Sequence, residues 1–250
     1  MTTVIRRPFS AMRWGCVTCA LTLGIASCSS DRSPAGAAPT SAAVAGDATP
    51  ASAARDPLGP IPEPLDALEA AAEDVFDQIP AGRWDAIGRD VEDMATAWTG
   101  FRDLASAADS VQAGRLENAL GALGEAASRR NGPASAQAAN DVSRPVIELS
   151  AHYDLPHPVQ IGRLDVIGRQ ILLDVDRGDL AAASSSLDAA RAEWSSLGAD
   201  VLDHGGADVA TRTDSSLDAV AASLTTNDPD AVRHEVGILL ELVDELERLS

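Results

Sequence analysis

The sequence predicts an all-α protein: a tandem duplication of a four-helix unit, about eight helices in an antiparallel helical bundle, preceded by a signal peptide and a disordered linker. Three observations predict it. The composition is poor in strand formers, the apolar positions beyond residue 60 recur with helical spacing, and that pattern returns with its breakers 96 residues further on.

Of the 250 residues 45% are hydrophobic but only 3% are aromatic, so a core has to be built from Leu, Val, Ile and Ala. Alanine is the best helix former, and the β-branched and aromatic residues that favour strands are sparse. Acidic residues number 38 against 19 basic ones, and every basic residue is Arg. Removing the first 27 residues takes Arg6, Arg7 and Arg13 and no acid, leaving 16 Arg against 38 carboxylates and a formal charge of −22. A surface this negative repels phosphate backbones and anionic headgroups, so nucleic acid is excluded as an expected partner.

The repeat is read from two helices. Trp84, Ile87, Val91, Met94, Trp98, Phe101 and Ala105 form one stripe; 96 residues on stand Leu180, Ala183, Leu187, Ala190, Trp194, Leu197 and Val201. The preceding segment agrees, since Leu65, Leu68, Ala72, Val75, Phe76 and Ile79 map to Ile161, Leu164, Gly168, Ile171, Leu172 and Val175. Breakers follow the same offset: Pro62 to Pro158, Gly82 to Gly178, Asn131 to Asn227 and Pro133 to Pro229. The third helix fits only at 97, where Leu120 and Leu123 meet Leu217 and Val220, which implies one inserted residue. Helical repeat 1 is expected over 61–156, with helices near 62–79, 83–104, 106–130 and 133–152. Helical repeat 2 is expected over 157–250, with counterparts 96 further on.

Gly82 and Gly178 suit the position just past a helix end, and Pro133 and Pro229 suit a first helical turn. Asp228 is placed to cap the last helix. Short loops make neighbouring helices antiparallel, Pro145 should interrupt the fourth helix, and His152 to Pro158 form the joint. The sequence leaves open whether the copies make two bundles or one continuous array.

The N-terminus speaks to location. Residues 1–13 carry three Arg and no acid, and Trp14 to Ala26 form an apolar stretch, the layout of a secretory signal peptide over 1–27. At about 13 residues the stretch is too short for a bilayer span, which takes roughly 20. Ile25-Ala26-Ser27-Cys28 resembles the lipobox of bacterial lipoproteins, and the resemblance implies that Cys28 is lipidated and becomes the mature N-terminus. The membrane is then an expected partner, through a lipid anchor on Cys28, and the address is extracytoplasmic. Ser29, in place of Asp, goes with outer-membrane sorting in Gram-negative relatives of this class. Arg6-Arg7-Pro8-Phe9 is similar to the core of a twin-arginine signal, but plain basic leaders also carry adjacent Arg, so both export routes stay open.

Cys16 and Cys19 have the spacing of a redox or metal motif but fall within the cleaved leader, so the mature chain keeps Cys28 alone and forms no internal disulfide. Residues 28–60 comprise the lipidated Cys and a tether rich in Ala, Ser, Pro, Thr and Gly, with too little apolar surface to offset its ordering entropy. Its 32 residues after Cys28 span roughly 30 Å as a random coil and roughly 100 Å when drawn out.

No nucleophile elbow, zinc-protease helix, phosphate loop or dinucleotide fingerprint occurs in the mature segment, so no catalytic residue and no cofactor is expected. The metal candidates are His152 and His157 around Asp154, then Asp200, His204 and Asp208 if Gly205 and Gly206 leave the helix unbroken, then His234 beside Glu235. None of these His recurs in the other copy, where Arg248, Ile61, Ala108 and Ala138 stand, and solvated His side chains are expected. Trp98 and Trp194 are expected in the core and not as ligand-stacking rings. The functional expectation is a membrane-anchored envelope lipoprotein with a non-enzymatic, acidic helical interaction domain and a protein partner in the envelope. The alternative is a small-ligand or metal-binding lipoprotein for uptake or sensing, with its site between the two copies.

Overall fold

The computed structural model describes residues 57–249. The expected signal peptide at 1–27, the expected lipidation site Cys28 and the expected tether up to residue 56 lie outside the described residues. Eight helices follow in order: α1 (Glu63–Gln78), α2 (Trp84–Ala108), α3 (Ser110–Ser128), α4 (Gly132–Ser150), α5 (Val159–Asp176), α6 (Leu180–Asp203), α7 (Ala207–Thr225) and α8 (Pro229–Leu249).

Local chemistry sets the ends. Gly82 and Gly178 adopt φ of 62° and 73°, the left-handed turn that ends α1 and α5. Asp109, Asn131, Asp179 and Asp228 cap α3, α4, α6 and α8, each accepting a backbone N–H two or three residues ahead. Asp109 alone separates α2 from α3, so the break falls at 109 and not near 105 as the spacing predicts. Its carboxylate accepts from the N–H groups of Val111 and Gln112, at 2.9 and 3.0 Å, and fixes the corner there. α4 continues through Pro145, whose missing N–H removes one rung of the ladder without ending the helix.

The helices close into two four-membered rings. In the first, α1 packs on α2 and α4 while α3 packs on α2 and α4; in the second, α5 packs on α6 and α8 while α7 packs on α6 and α8. Each ring has its own core, one including Leu65, Leu68, Ile87, Met94, Phe101, Leu116 and Leu149, the other Ile161, Leu164, Ile171, Leu197, Leu239 and Leu246. α4 against α5 joins the rings. The open question is thereby decided for two bundles side by side, with the joint at 151–158 as expected.

The duplication is carried by buried positions. Leu65, Leu68 and Val75 are buried like Ile161, Leu164 and Ile171, and Trp98, Phe101 and Ala105 like Trp194, Leu197 and Val201, all 96 apart. In the later helices the offset is 97: Ala113 and Leu123 answer to Ala210 and Val220, and Ser135, Val142 and Leu149 to Val232, Leu239 and Leu246. The insertion sits in the α6–α7 turn, where His204, Gly205 and Gly206 replace the single Asp109. This corrects two of the breaker pairs. The residue with positive φ before α4 is Arg130, and its counterpart before α8 is Asn227, so Asn131 answers to Asp228 and the Asn and Pro matches at 96 are out of structural register.

Just before α1, the N–H of Leu58 donates to the carbonyl of His152 (2.8 Å), and the N–H of Asp154 donates to the carbonyl of Gly59 (2.7 Å). The last residues of the sequence-defined tether are therefore tied to the joint. Among the described residues no helix is long and apolar enough to cross a membrane.

Candidate functional site

Most helices of the two rings bury one stripe, but α4 and α5 bury residues on more than one face, because each serves its own core and also meets the other ring. Small residues allow the close approach. A Cβ on Gly162 of α5 would lie 2.6 Å from Cδ1 of Ile147 of α4, so a larger residue there would force the tip of that side chain to move. Polar side chains are then trapped between the rings, and each has to find a partner there.

Three groups occupy this seam. Toward the end near the joint, Arg163 of α5 forms a two-pronged pair with Glu148 of α4, Nε to Oε1 and Nη2 to Oε2 both at 2.8 Å, and its Nη1 lies 3.6 Å from Glu193 of α6. In the middle, the side-chain amide of Asn140 donates to the Val166 carbonyl (3.1 Å) and to Gln170 (3.2 Å), and Gln137 donates to Gln170 (3.1 Å). Gln170 in turn donates to Asp174, which is almost fully buried and also accepts from Ser186 (2.9 Å) and from Arg177.

The third group is Arg169 of α5, 4% exposed, which contacts Asp165 and lies 3.8 Å from Glu73 of α1, with its guanidinium carbon 5.7 Å from the Phe76 ring centre. Burial works against its charge, but Asp165, Glu73, Glu69 and Asp77 more than offset that and hold it protonated. Its Nε and Nη1 are buried with no hydrogen-bond partner among the described residues. The acids respond oppositely. Glu73 is pushed well above the usual carboxylate range by desolvation and by Asp165, with Arg169 opposing. Asp77 is pushed up to about 6 by partial desolvation, opposed by Arg169 and reinforced by Asp165, Asp74 and Asp244. Asp77 is exposed and Glu73 keeps 35% of its side chain accessible, so water screens the field at both.

This arrangement acts as a cross-link. Bidentate, amide and buried ionic contacts fix the register of α4 and α1 on α5. Beside it a surface groove of about 230 Å³ is lined by Arg144, Ile147, Glu148, Arg163, Val166, Ile167 and Glu193, at the junction of the two copies.

The residues singled out in the sequence fall elsewhere. Cys28 lies outside the described residues. His152 and His157 are on the joint, where His152 Nε2 is 3.7 Å from Asp109 and His157 faces the Pro158 carbonyl. Gly205 and Gly206 do break the turn: His204 Nδ1 meets the Asp200 carbonyl (2.7 Å), and Asp208 falls on α7 beside Arg212. Among the described residues no three His, Cys, Asp or Glu gather as a metal site. Both tryptophans are core, Trp98 at 8% and Trp194 at 6% exposure. They differ in one contact, since Trp194 Nε1 donates to Asp214 (2.6 Å) while Trp98 Nε1 is buried without a partner among the described residues.

Sequence reading missed Arg169, Asn140 and Asp174. The available signal was the pair Gly162 and Gly168 within α5 and the run of small residues in α4, which mark helices approached from two sides.

No family model matches the chain, and no curated protein and no solved structure matches it.

Proposed function

We propose that this chain is a bacterial lipoprotein, held to an extracytoplasmic membrane surface by acyl chains on Cys28, whose paired helical bundles serve as a non-enzymatic interaction module in the cell envelope. One observation carries the reading: the run Ile25-Ala26-Ser27-Cys28 directly after a short apolar leader, with a stretch poor in large apolar residues before the first helix. One acyl chain contributes about 0.8 kcal/mol per buried methylene and holds marginally, so more than one chain is needed for lasting attachment. The polar seam supports the non-catalytic part, because Arg163, Asn140 and Gln170 are occupied in holding the two rings together. The module would meet its protein partner through its acidic helical faces. Cys28→Ala is the test: it should abolish fatty-acid labelling and release the protein from membranes, and unchanged labelling refutes the proposal.

A second reading, a small-ligand lipoprotein for uptake or sensing, is favoured by the groove between the copies. Arg144 and an apolar floor of Ile147, Val166 and Ile167 suit an anionic molecule with an apolar body. Thermal-shift screening of the protein against carboxylic acids tests it; a saturable rise in melting temperature that Arg144→Ala removes supports a ligand site, and a flat screen refutes it.

A further inference from the structure

The alternating helices give the paired bundles two distinct ends. The antiparallel packing of α4 on α5, with Glu148 on Arg163 and Gln137 on Gln170, and the nearness of Glu73 to Arg169 between α1 and α5, align both rings the same way up. One end, called proximal here, holds the segment before α1, the α2–α3 corner, the joint at 151–158, the α6–α7 turn and the last turn of α8. The distal end holds the turns at 79–83, 129–131, 177–179 and 226–228.

The large apolar side chains left exposed among the described residues are Leu58, Leu104, Val111, Leu202 and Leu249, between 43% and 62% accessible. Each alone is ordinary. All of them lie at the proximal end: Leu58 beside the joint, Leu104 and Val111 either side of the α2–α3 corner, Leu202 one residue from the end of α6, Leu249 at the end of α8. The distal turns carry instead Arg83, Arg129, Arg130, Arg177 and Asn227.

We infer that the proximal end lies against the lipid surface, with these side chains in the headgroup layer of a zwitterionic membrane. The inference rests on the lipoprotein reading of Cys28 and adds an orientation to it. What names the occupant is where the rest of the chain joins. The described chain begins at residue 57 on this end, so the 28 residues between Cys28 and the bundle join it here. The helices are roughly 24 to 38 Å long at 1.5 Å per residue, so turning the distal end to the same surface would commit that much of the tether to running back along the bundle. Tethering also raises the local concentration of lipid at this end, so weak apolar contacts suffice. Asp103, Asp203 and Asp208 outnumber Arg102 and Arg248 around the leucines, which opposes an anionic headgroup and leaves a neutral one as the fit.

The experiment uses the full chain, purified from host membranes and reconstituted in phosphatidylcholine vesicles carrying a nitroxide-labelled lipid. Leu104→Cys, Leu202→Cys and, at the distal end, Thr226→Cys each carry an environment-sensitive dye. The unmutated protein should take no dye, because Cys28 is acylated and Cys16 and Cys19 are gone with the leader. Quenching at 104 and 202 at least about twofold greater than at 226, reduced when half the lipid is phosphatidylglycerol, is the expected result. Equal quenching at both ends, or none at either, overturns the orientation while leaving the lipid anchor standing. Dye uptake by the unmutated protein shows a free Cys28 thiol, and overturns the anchor and the orientation together. Intermolecular crosslinks between 104 and 202 in place of quenching would show that a second copy covers this end, which also overturns it.

Discussion

Trp98→Phe and Trp194→Phe make the two bundles controls for each other. Both tryptophans sit in register in their seams, both are nearly buried, and trimming indole to phenyl removes the same apolar volume from each. That shared loss cancels in the comparison. What remains is the fate of one N–H. Trp194 Nε1 donates to the carboxylate of Asp214 at 2.6 Å, a bond to a charged group worth about 1.5–3 kcal/mol, and toward the lower figure here because Asp214 is exposed and falls back on water. Trp98 Nε1 is buried with no partner among the described residues, a condition that costs about 1–3 kcal/mol and that phenylalanine relieves. Trp194→Phe should therefore destabilise the protein by about 2.5–4.5 kcal/mol more than Trp98→Phe, a gap of roughly 5–18 °C in melting temperature for a folded region of this size. Thermal and urea unfolding followed by far-UV circular dichroism measure it. A loss for Trp98→Phe equal to or larger than that for Trp194→Phe would refute the reasoning.

Other outcomes follow from the same contacts. Glu73 and Asp77 are raised in the folded state, so the folded chain holds protons that the unfolded chain has released; their contribution is fully present below the unfolded carboxylate range near roughly 4 and is lost as pH rises, through about 6 for Asp77. Urea midpoints measured from pH 4 to 8 should decline over that window, and a rise attributable to these groups, cancelled in a Glu73→Gln/Asp77→Asn variant, would contradict the assignment. Arg169→Met removes the cation facing these acids and should cost about 3 kcal/mol at pH 8 and less at pH 5; a pH-independent cost would count against the ionic reading. Asp109→Ala removes the cap at the α2–α3 corner and should cost about 1 kcal/mol by urea unfolding. The Asp109 carboxyl is held below its usual range, chiefly by the Gln112 N–H, so its contribution fades as pH falls through the folded value. Leu164→Ala should cost about 2–5 kcal/mol, and a loss below about 1 kcal/mol would show that the second core is not packed as described.

The helices were legible because their information is local and repeated. Trp98 and Trp194 occupy the same seam position 96 apart, and glycines at 82 and 178 supply the only backbone freedom that each turn requires. The later register was less legible because residue type and backbone role part company there. An arginine, Arg130, takes the left-handed position for which Asn131 is the better candidate by chemistry, so matching Asn131 to Asn227 aligns letters and not geometry. The corner at Asp109 was missed for a related reason, since Leu104 and Ala105 continue the apolar rhythm up to it and only the acceptor carboxylate marks the break. The seam could not be read at all. Arg169, Asn140 and Asp174 look like ordinary polar positions along their own helices, and each meets a neighbour distant in sequence, α1 for Arg169, α5 for Asn140 and α6 for Asp174. The metal candidates illustrate the converse: Asp200, His204 and Asp208 stand four apart in sequence, but two glycines put the last of them on another helix.

The membrane reading turns on the chemistry of one residue, and intact-mass analysis of the protein extracted from its native membrane measures it. The account expects a chain that begins at Cys28 and carries fatty acids there. A chain that still begins at Met1, or one that begins at Cys28 with a free thiol and an unmodified amine, would contradict it.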